Sequence, residues 1–167
     1  MTIPPHLKRQ FPLFFLIMAV ASFATPAILI NEQSLRWQMS LALVLASGGF
    51  IHFLYTRHLE ETRLFRELFR EFNLRYDTLN DSLNKIAMRD AEIPLSDEEV
   101  RLLYDYFNLC AEEYYYYKVG YIPAEVWRSW SKGVKNYLDC PNIHSLMSKE
   151  LKTESYYGLT IKVITKV

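Results

Sequence analysis

Between Phe11 and Ile30 the chain runs for twenty residues without Asp, Glu, Lys or Arg, FPLFFLIMAVASFATPAILI. Between Met39 and Tyr55 it does so for another seventeen, MSLALVLASGGFIHFLY. A helix of about 20 apolar residues crosses the hydrocarbon core of a bilayer, and inside the bilayer every backbone polar group has to be satisfied within its own segment. These two runs are therefore expected to be helices that form a transmembrane hairpin over residues 11–55, closed by the short loop NEQSLRWQ. The rival reading is a cleaved leader, with Lys8 and Arg9 ahead of the apolar run and Ala19-Val20-Ala21 as the cut. It is disfavoured because the apolar residues continue to Ile30, so cleavage would leave a greasy terminus.

Basic residues set the orientation of short hairpins. Lys8 and Arg9 precede the first span, and Arg57, Arg63, Arg66, Arg70 and Arg75 follow the second. The loop holds only Arg36, offset by Glu32. Both termini are thus expected on the cytoplasmic side of a bacterial inner membrane, with residues 1–10 as a cytoplasmic N-terminal segment. Cys110 and Cys140 would then sit in a reducing compartment as free thiols, and neither belongs to a C-x-x-C pair. Within the spans, Ala42, Ala46 and Gly49 make a stripe of small residues that suits close helix approach, and Pro26 is expected to kink the first span. His52 lies one turn from the cytoplasmic end, where it can reach the interface.

From Thr56 to Met88 there is neither Pro nor Gly. Phe65, Phe69, Phe72, Tyr76, Leu79, Leu83 and Ile86 recur at alternating steps of four and three, a heptad seam. The spacing predicts a connecting helix over residues 56–90, roughly 45 Å long at 1.5 Å per residue. Its seam can pair between subunits or pack on later helices of the same chain. Arg63, Arg66 and Arg70 share one face of it, suited to anionic lipid head groups or to internal pairs such as Arg63–Glu67 and Glu71–Arg75.

Residues 91–167 read as a small helical domain. Ser96 and Glu99 form a capping box, which predicts a helix from Asp97 to about Val119, ended by Gly120. Pro123 and Pro141 each open a further helix, ending near Leu138 and Tyr157. The tail LTIKVITKV is β-branched and predicts a short β-like segment. The fold class is all-α: a two-helix transmembrane hairpin, a long connecting helix and a small cytosolic helical domain with a short β-like C-terminal tail.

Four consecutive tyrosines, Tyr114 to Tyr117, cannot share one face at 100° per residue. Tyr114 and Tyr117 continue the apolar stripe Val100, Leu103, Tyr104, Phe107, Cys110, Ala111. Tyr115 and Tyr116 need another helix, another subunit or a ligand. On the next helix, Arg128, Lys132 and Lys135 lie opposite the core arc of Val126, Trp127, Trp130, Val134, Tyr137 and Leu138. Charge divides along the chain: residues 56–122 hold nine basic and fourteen acidic side chains, and residues 123–167 hold seven and four. The basic stripe is either a solvated face or, with Lys149 and Lys152, an anion site. Asn108, Glu112 and Glu113 form a polar cluster: Asn108 and Glu112 share a face that Arg101 or Lys118 could pair with, and since Glu112 and Glu113 diverge by about 100°, a buried polar network is expected in place of paired catalytic acids. No phosphate loop, zinc motif or nucleophile elbow is present, so an enzyme is not expected, nor a cofactor, nor DNA binding.

The block YDYFNLCAEEYYYYKVGYIPAEVWRSWSKGVKNYL, Tyr104 to Leu138, resembles a helical module that recurs in uncharacterised bacterial proteins. The match lies in Asn108, Glu112 and Glu113, the turn Gly120-Tyr121-Ile122 and the start Glu125-Val126-Trp127. With two amino-terminal spans and a cytosolic helical domain, the layout is similar to membrane effectors of type III CRISPR defence. That resemblance implies a homo-oligomer in the bilayer whose cytosolic domain binds a cyclic oligoadenylate and whose spans then disturb the membrane. It assigns no ligand residue. From the residues themselves, the ligand candidates are Arg128, Lys132, Lys135, Tyr115, Tyr116, Lys149 and Lys152. The other reading is a membrane-tethered scaffold whose aromatic surface binds a protein partner.

The charge asymmetry makes topology testable. A reporter fused after Val167 is expected to be active in its cytoplasmic form and silent in its periplasmic form; the reverse pattern overturns the orientation.

Overall fold

A computed structural model describes residues 10–90, 92–153 and 155–166, and all side chains within them except those of Phe11 and Thr153. Lys8 and Arg9, which carry half of the orientation argument, lie outside the described residues. Among those described, the chain is entirely helical: α1 Phe11–Leu29, α2 Gln33–Ala87, α3 Asp97–Lys118, α4 Ala124–Leu138, α5 Pro141–Glu150, a single 3-10 turn Leu151–Thr153 and α6 Ile161–Thr165. The helices divide into two compact units, residues 1–63 and 64–167, with α2 contributing to both.

The first unit is the apolar hairpin. Both α1 and α2 are long and apolar enough to cross a membrane. Their contact is built from small side chains: Ser22, Pro26, Ser40 and Ser47 are buried, and Phe15 rests against Gly48, 3.9 Å from where a β-carbon would stand. The hydroxyls of Ser22 and Ser47 donate to the carbonyls of Met18 and Leu43, each at 2.7 Å. Hydrogen bonding back to the preceding turn removes the cost of placing a hydroxyl in an apolar helix. Phe23 meets Trp37 edge-on at 6.3 Å, and Arg36 donates to the carbonyl of Ile30 at the carboxyl end of α1. The expected stripe of Ala42, Ala46 and Gly49 is on the exposed side, as are most large apolar residues; Ile28 is 80% exposed. Pro26 is accommodated inside α1.

The second unit holds the core. Phe72, Leu83, Leu103, Phe107, Leu109, Ile143, Met147, Leu159 and Ile164 are fully buried. The heptad seam of α2 is spent within the chain. Phe69 stacks on Trp130 at 5.8 Å, Phe72 touches Trp130 edge-on at 5.9 Å and Tyr116 at 5.7 Å, and Tyr76 meets Tyr106 at 6.5 Å. A polar lock lies along the same face. The hydroxyls of Tyr76 and Tyr137 are 3.1 Å apart, Tyr76 donates to Asn80 Oδ1 at 3.0 Å, and Tyr137 reaches Asn84 Oδ1 at 3.0 Å.

The capping box forms as expected: Glu99 N donates to the Ser96 hydroxyl at 3.3 Å, and Ser96 N donates to the Glu99 carboxylate at 2.8 Å. Arg89 clamps that carboxylate through two nitrogens at 2.9 and 3.1 Å, tying the end of α2 to the start of α3. At the other end of α3, Tyr121 N reaches the Tyr116 carbonyl at 2.9 Å and Gly120 N the Tyr117 carbonyl at 3.0 Å. This is the double bond of a Schellman cap, with its apolar contact supplied by Tyr116 and Tyr121 at 6.2 Å. Gly120 stands at φ 88°, the left-handed position that this cap gives to glycine.

Three expectations need correction. Pro123 is the N-cap of α4 and not a residue of its first turn. The helix opened by Pro141 stops at Glu150, short of Tyr157, and gives way to a 3-10 turn. The tail is no strand: Ile161–Thr165 is helical, its N-cap Thr160 accepting from Val163 N at 3.3 Å. A strand needs a partner for its ladder, and none exists among the described residues. Coiling satisfies the backbone internally and buries Ile164 against the core, chiefly on α4, so packing overrides the β preference of the side chains.

Phe72 is buried where α2 meets α3 and α4, whereas Leu74 on the same helix is 55% exposed. Phe72→Ala is expected to cost about 3–5 kcal/mol in denaturant unfolding, and Leu74→Ala no more than about 0.5 kcal/mol.

Candidate functional site

The residues that could recognise something are distributed over the second unit. On α3, Tyr114 and Tyr117 turn to Trp127, at 5.3 and 5.6 Å, the latter nearly parallel at 13°. They belong to the core side, as the apolar stripe implies. Tyr116 is half-buried between Phe72 and Tyr121. Tyr115 is different: it is 41% exposed, and its ring meets those of Tyr116 at 5.6 Å and Tyr157 at 5.4 Å. Within the chain, its second contact is the loop before α6.

Tyr115 lines a cleft of about 490 Å³ with Lys118, Leu151, Tyr157, Gly158, Leu159 and Thr160. Leu151 and Leu159 are buried and form its floor. Lys118, the last residue of α3, donates to the Tyr157 carbonyl at 3.3 Å.

Arg128, Lys132 and Lys135 are exposed on α4, on the side away from Trp127, Val134 and Tyr137. Among the described residues no carboxylate pairs with them. They line no part of the cleft. Lys149 is exposed on α5, and Lys152 is exposed in the 3-10 turn beside Leu151. Of the seven ligand candidates, Tyr115 lines this cleft, and Arg128, Lys132 and Lys135 stand together on an exposed face of α4. Lys118 and Tyr157 are the cleft residues that spacing did not reveal. The Tyr157-Gly158 pair was the available signal, since glycine after a bulky residue marks a turn.

The polar cluster on α3 also differs from expectation. Asn108 and Arg101 are exposed. Neither Arg101 nor Lys118 pairs with an acid among the described residues. Glu112 is held instead by Arg75 of α2, through two nitrogens at 2.5 and 3.1 Å, with Glu71 3.9 Å from the same guanidinium. Glu113 is 6% exposed. Burial pushes its carboxyl up to about 8, against the pull of Arg75 and with added repulsion from Glu112. Burial likewise raises the neighbouring Tyr106 hydroxyl and Cys110 thiol well above their ordinary values. All three side chains are buried, and burial favours the protonated form of each. Among the described residues no group of His, Cys, Asp and Glu side chains could hold a metal ion.

Glu113 makes stability depend on pH with a defined sign. Its folded value lies above the ordinary 4.5, so between those limits the folded chain binds the extra proton. Stability is greatest at the acid end of this window and falls as pH rises to about 8, by at most about 1.4 kcal/mol per unit. Glu113→Gln is expected to flatten that slope and raise stability at pH 8, read from denaturant midpoints at several pH values.

Comparison of the chain with family models, with curated proteins and with solved structures finds no match.

Proposed function

We propose that this chain is a membrane-anchored antiviral effector of the bacterial inner membrane. Its helical unit faces the cytoplasm and binds an anionic nucleotide messenger of the cyclic oligoadenylate kind, and its two spans perturb the bilayer in response. One observation carries the reading. A hairpin that leaves nearly all its large apolar side chains uncovered shares a chain with a separately packed helical unit that keeps aromatic faces and unpaired cations in solvent. Lipid is the medium that suits the first. An anion with stacking faces suits the second, because cations attract the phosphates and aromatic rings stack on the bases.

Assembly in the membrane would use the exposed stripe of Ala42, Ala46 and Gly49, since the α2 seam is occupied by the chain's own helices. Arg128, Lys132 and Lys135 would act as an electrostatic collar that draws the messenger in. Their contribution is long-range and therefore salt-sensitive.

The test is dye release from vesicles holding the full chain, with cyclic oligoadenylates of several ring sizes added outside. Release by one ring size, weaker at high salt and several-fold slower in the Arg128→Gln, Lys132→Gln, Lys135→Gln triple variant, is the expected result. No release with any ring size, from vesicles containing folded protein, overturns the effector reading in favour of a tethered scaffold.

A further inference from the structure

The loop that closes the cleft is built in an unusual way. Leu159 N donates to the Tyr156 carbonyl at 2.8 Å, making a four-residue turn, and both central residues have positive φ, 54° at Tyr157 and 86° at Gly158. Turns with two such residues select Asn, Asp and Gly, which tolerate the left-handed region. Glycine fills the second place here, but a tyrosine fills the first. The flanking residues are locked, with Tyr156 7% and Leu159 1% exposed, whereas Tyr157 is 54% exposed. Its strained backbone is not repaid by burying the ring. The turn instead holds a large aromatic side chain out in solvent at a fixed place. Strain of this kind, kept by well-anchored neighbours, gathers at ligand clamps.

What the ring faces defines the chemistry. Tyr115 packs against its inner side, with ring centroids 5.4 Å apart and planes tilted by 47°. The two rings form an open V, and both keep exposed faces. Beside them is Lys118. An ammonium carries three donors, and only one is directed to the Tyr157 carbonyl. A β-carbon at Gly158 would make only ordinary contact with the amine, at 3.9 Å, so glycine is required there by its φ of 86° and not by Lys118. The carboxyl end of α3 is electronegative, so an anion in the cleft has to be held by Lys118 and not by the helix. At about 490 Å³ the cavity is in the range that takes a small molecule.

We propose that the cleft between the end of α3 and the Tyr156–Leu159 turn binds a planar aromatic ring carrying an anionic group, with the ring stacked on the exposed face of Tyr157, Tyr115 at its edge and the anion on Lys118. The choice of an adenine nucleotide as that ligand rests on the function proposed above; the geometry of the site does not. The basic stripe on α4 then guides the ligand, and the cleft reads it.

Adenosine 5′-monophosphate is the probe, with adenosine and inorganic phosphate as separate arms, titrated calorimetrically into the detergent-solubilised full chain. Wild type is expected to bind the monophosphate more tightly than either part. Tyr157→Asn removes the ring while suiting the backbone, so affinity falls at least about tenfold while the melting temperature holds or rises. Tyr157→Phe keeps the ring and stays within about twofold of wild type. Lys118→Gln weakens the monophosphate about tenfold and leaves adenosine unchanged.

The proposal is overturned if wild type binds no monophosphate, if Tyr157→Asn binds as wild type does, or if Lys118→Gln weakens adenosine equally. Dye release separates this from the effector reading. Release by a cyclic oligoadenylate that is undiminished in Tyr157→Asn sinks the cleft and spares the effector. Monophosphate binding that follows the pattern above, with no release, sinks the effector and spares the cleft.

Discussion

The second unit depends on one aromatic contact, Phe72 of α2 pressed between Tyr116 of α3 and Trp130 of α4. Three helices distant in sequence meet at a side chain that is 1% exposed. The dispersion energy of such a contact is the sum of many small terms that vanish together if a gap opens, so the packing of α3 and α4 on α2 stands or falls with it. Polar groups then set the register. The Tyr76, Asn80, Asn84 and Tyr137 network and the Arg75–Glu112 pair both join α2 to later helices. They permit one alignment, because a one-residue slip turns a helix by about 100° and breaks every hydrogen bond at once.

Periodicity and punctuation made most of this legible. Unbroken apolar runs marked α1 and the start of α2, the four-three spacing marked the buried face of α2, and Ser96 with Glu99 and Gly120 marked both ends of α3. What periodicity cannot say is which partner covers a face. The seam from Phe65 to Ile86 fits an intersubunit coil as well as the intrachain packing that occurs, and only the positions of α3 and α4 decide. The tail failed for a related reason: β-branched side chains express a preference, but burial of Ile164 is a tertiary matter.

Legibility at the candidate site was poorer, and the reasons are specific. Charge spacing drew attention to Arg128, Lys132 and Lys135, yet spacing on one helix reports a face and carries no information about concavity. The cleft needs Tyr115 and Lys118 from α3 together with Tyr157 and Gly158 from nearly forty positions later, a juxtaposition that no local window contains. For Glu112 it was the partner that spacing could not supply, since Arg75 lies on another helix. Glu113, one position and about 100° on, turns inward.

The burial of Cys110 has a practical consequence. Thiol reagents attack the thiolate, and this thiol is fully buried, with desolvation holding it in the protonated form. Modification at Cys110 thus waits for α3 to part from its neighbours, while Cys140 is less deeply placed on the other side of α4. The two thiols amount to a pair of internal clocks. The slower counts openings of the aromatic core and the faster counts motions near the start of α5, so the breathing of this unit can be timed without adding a label site.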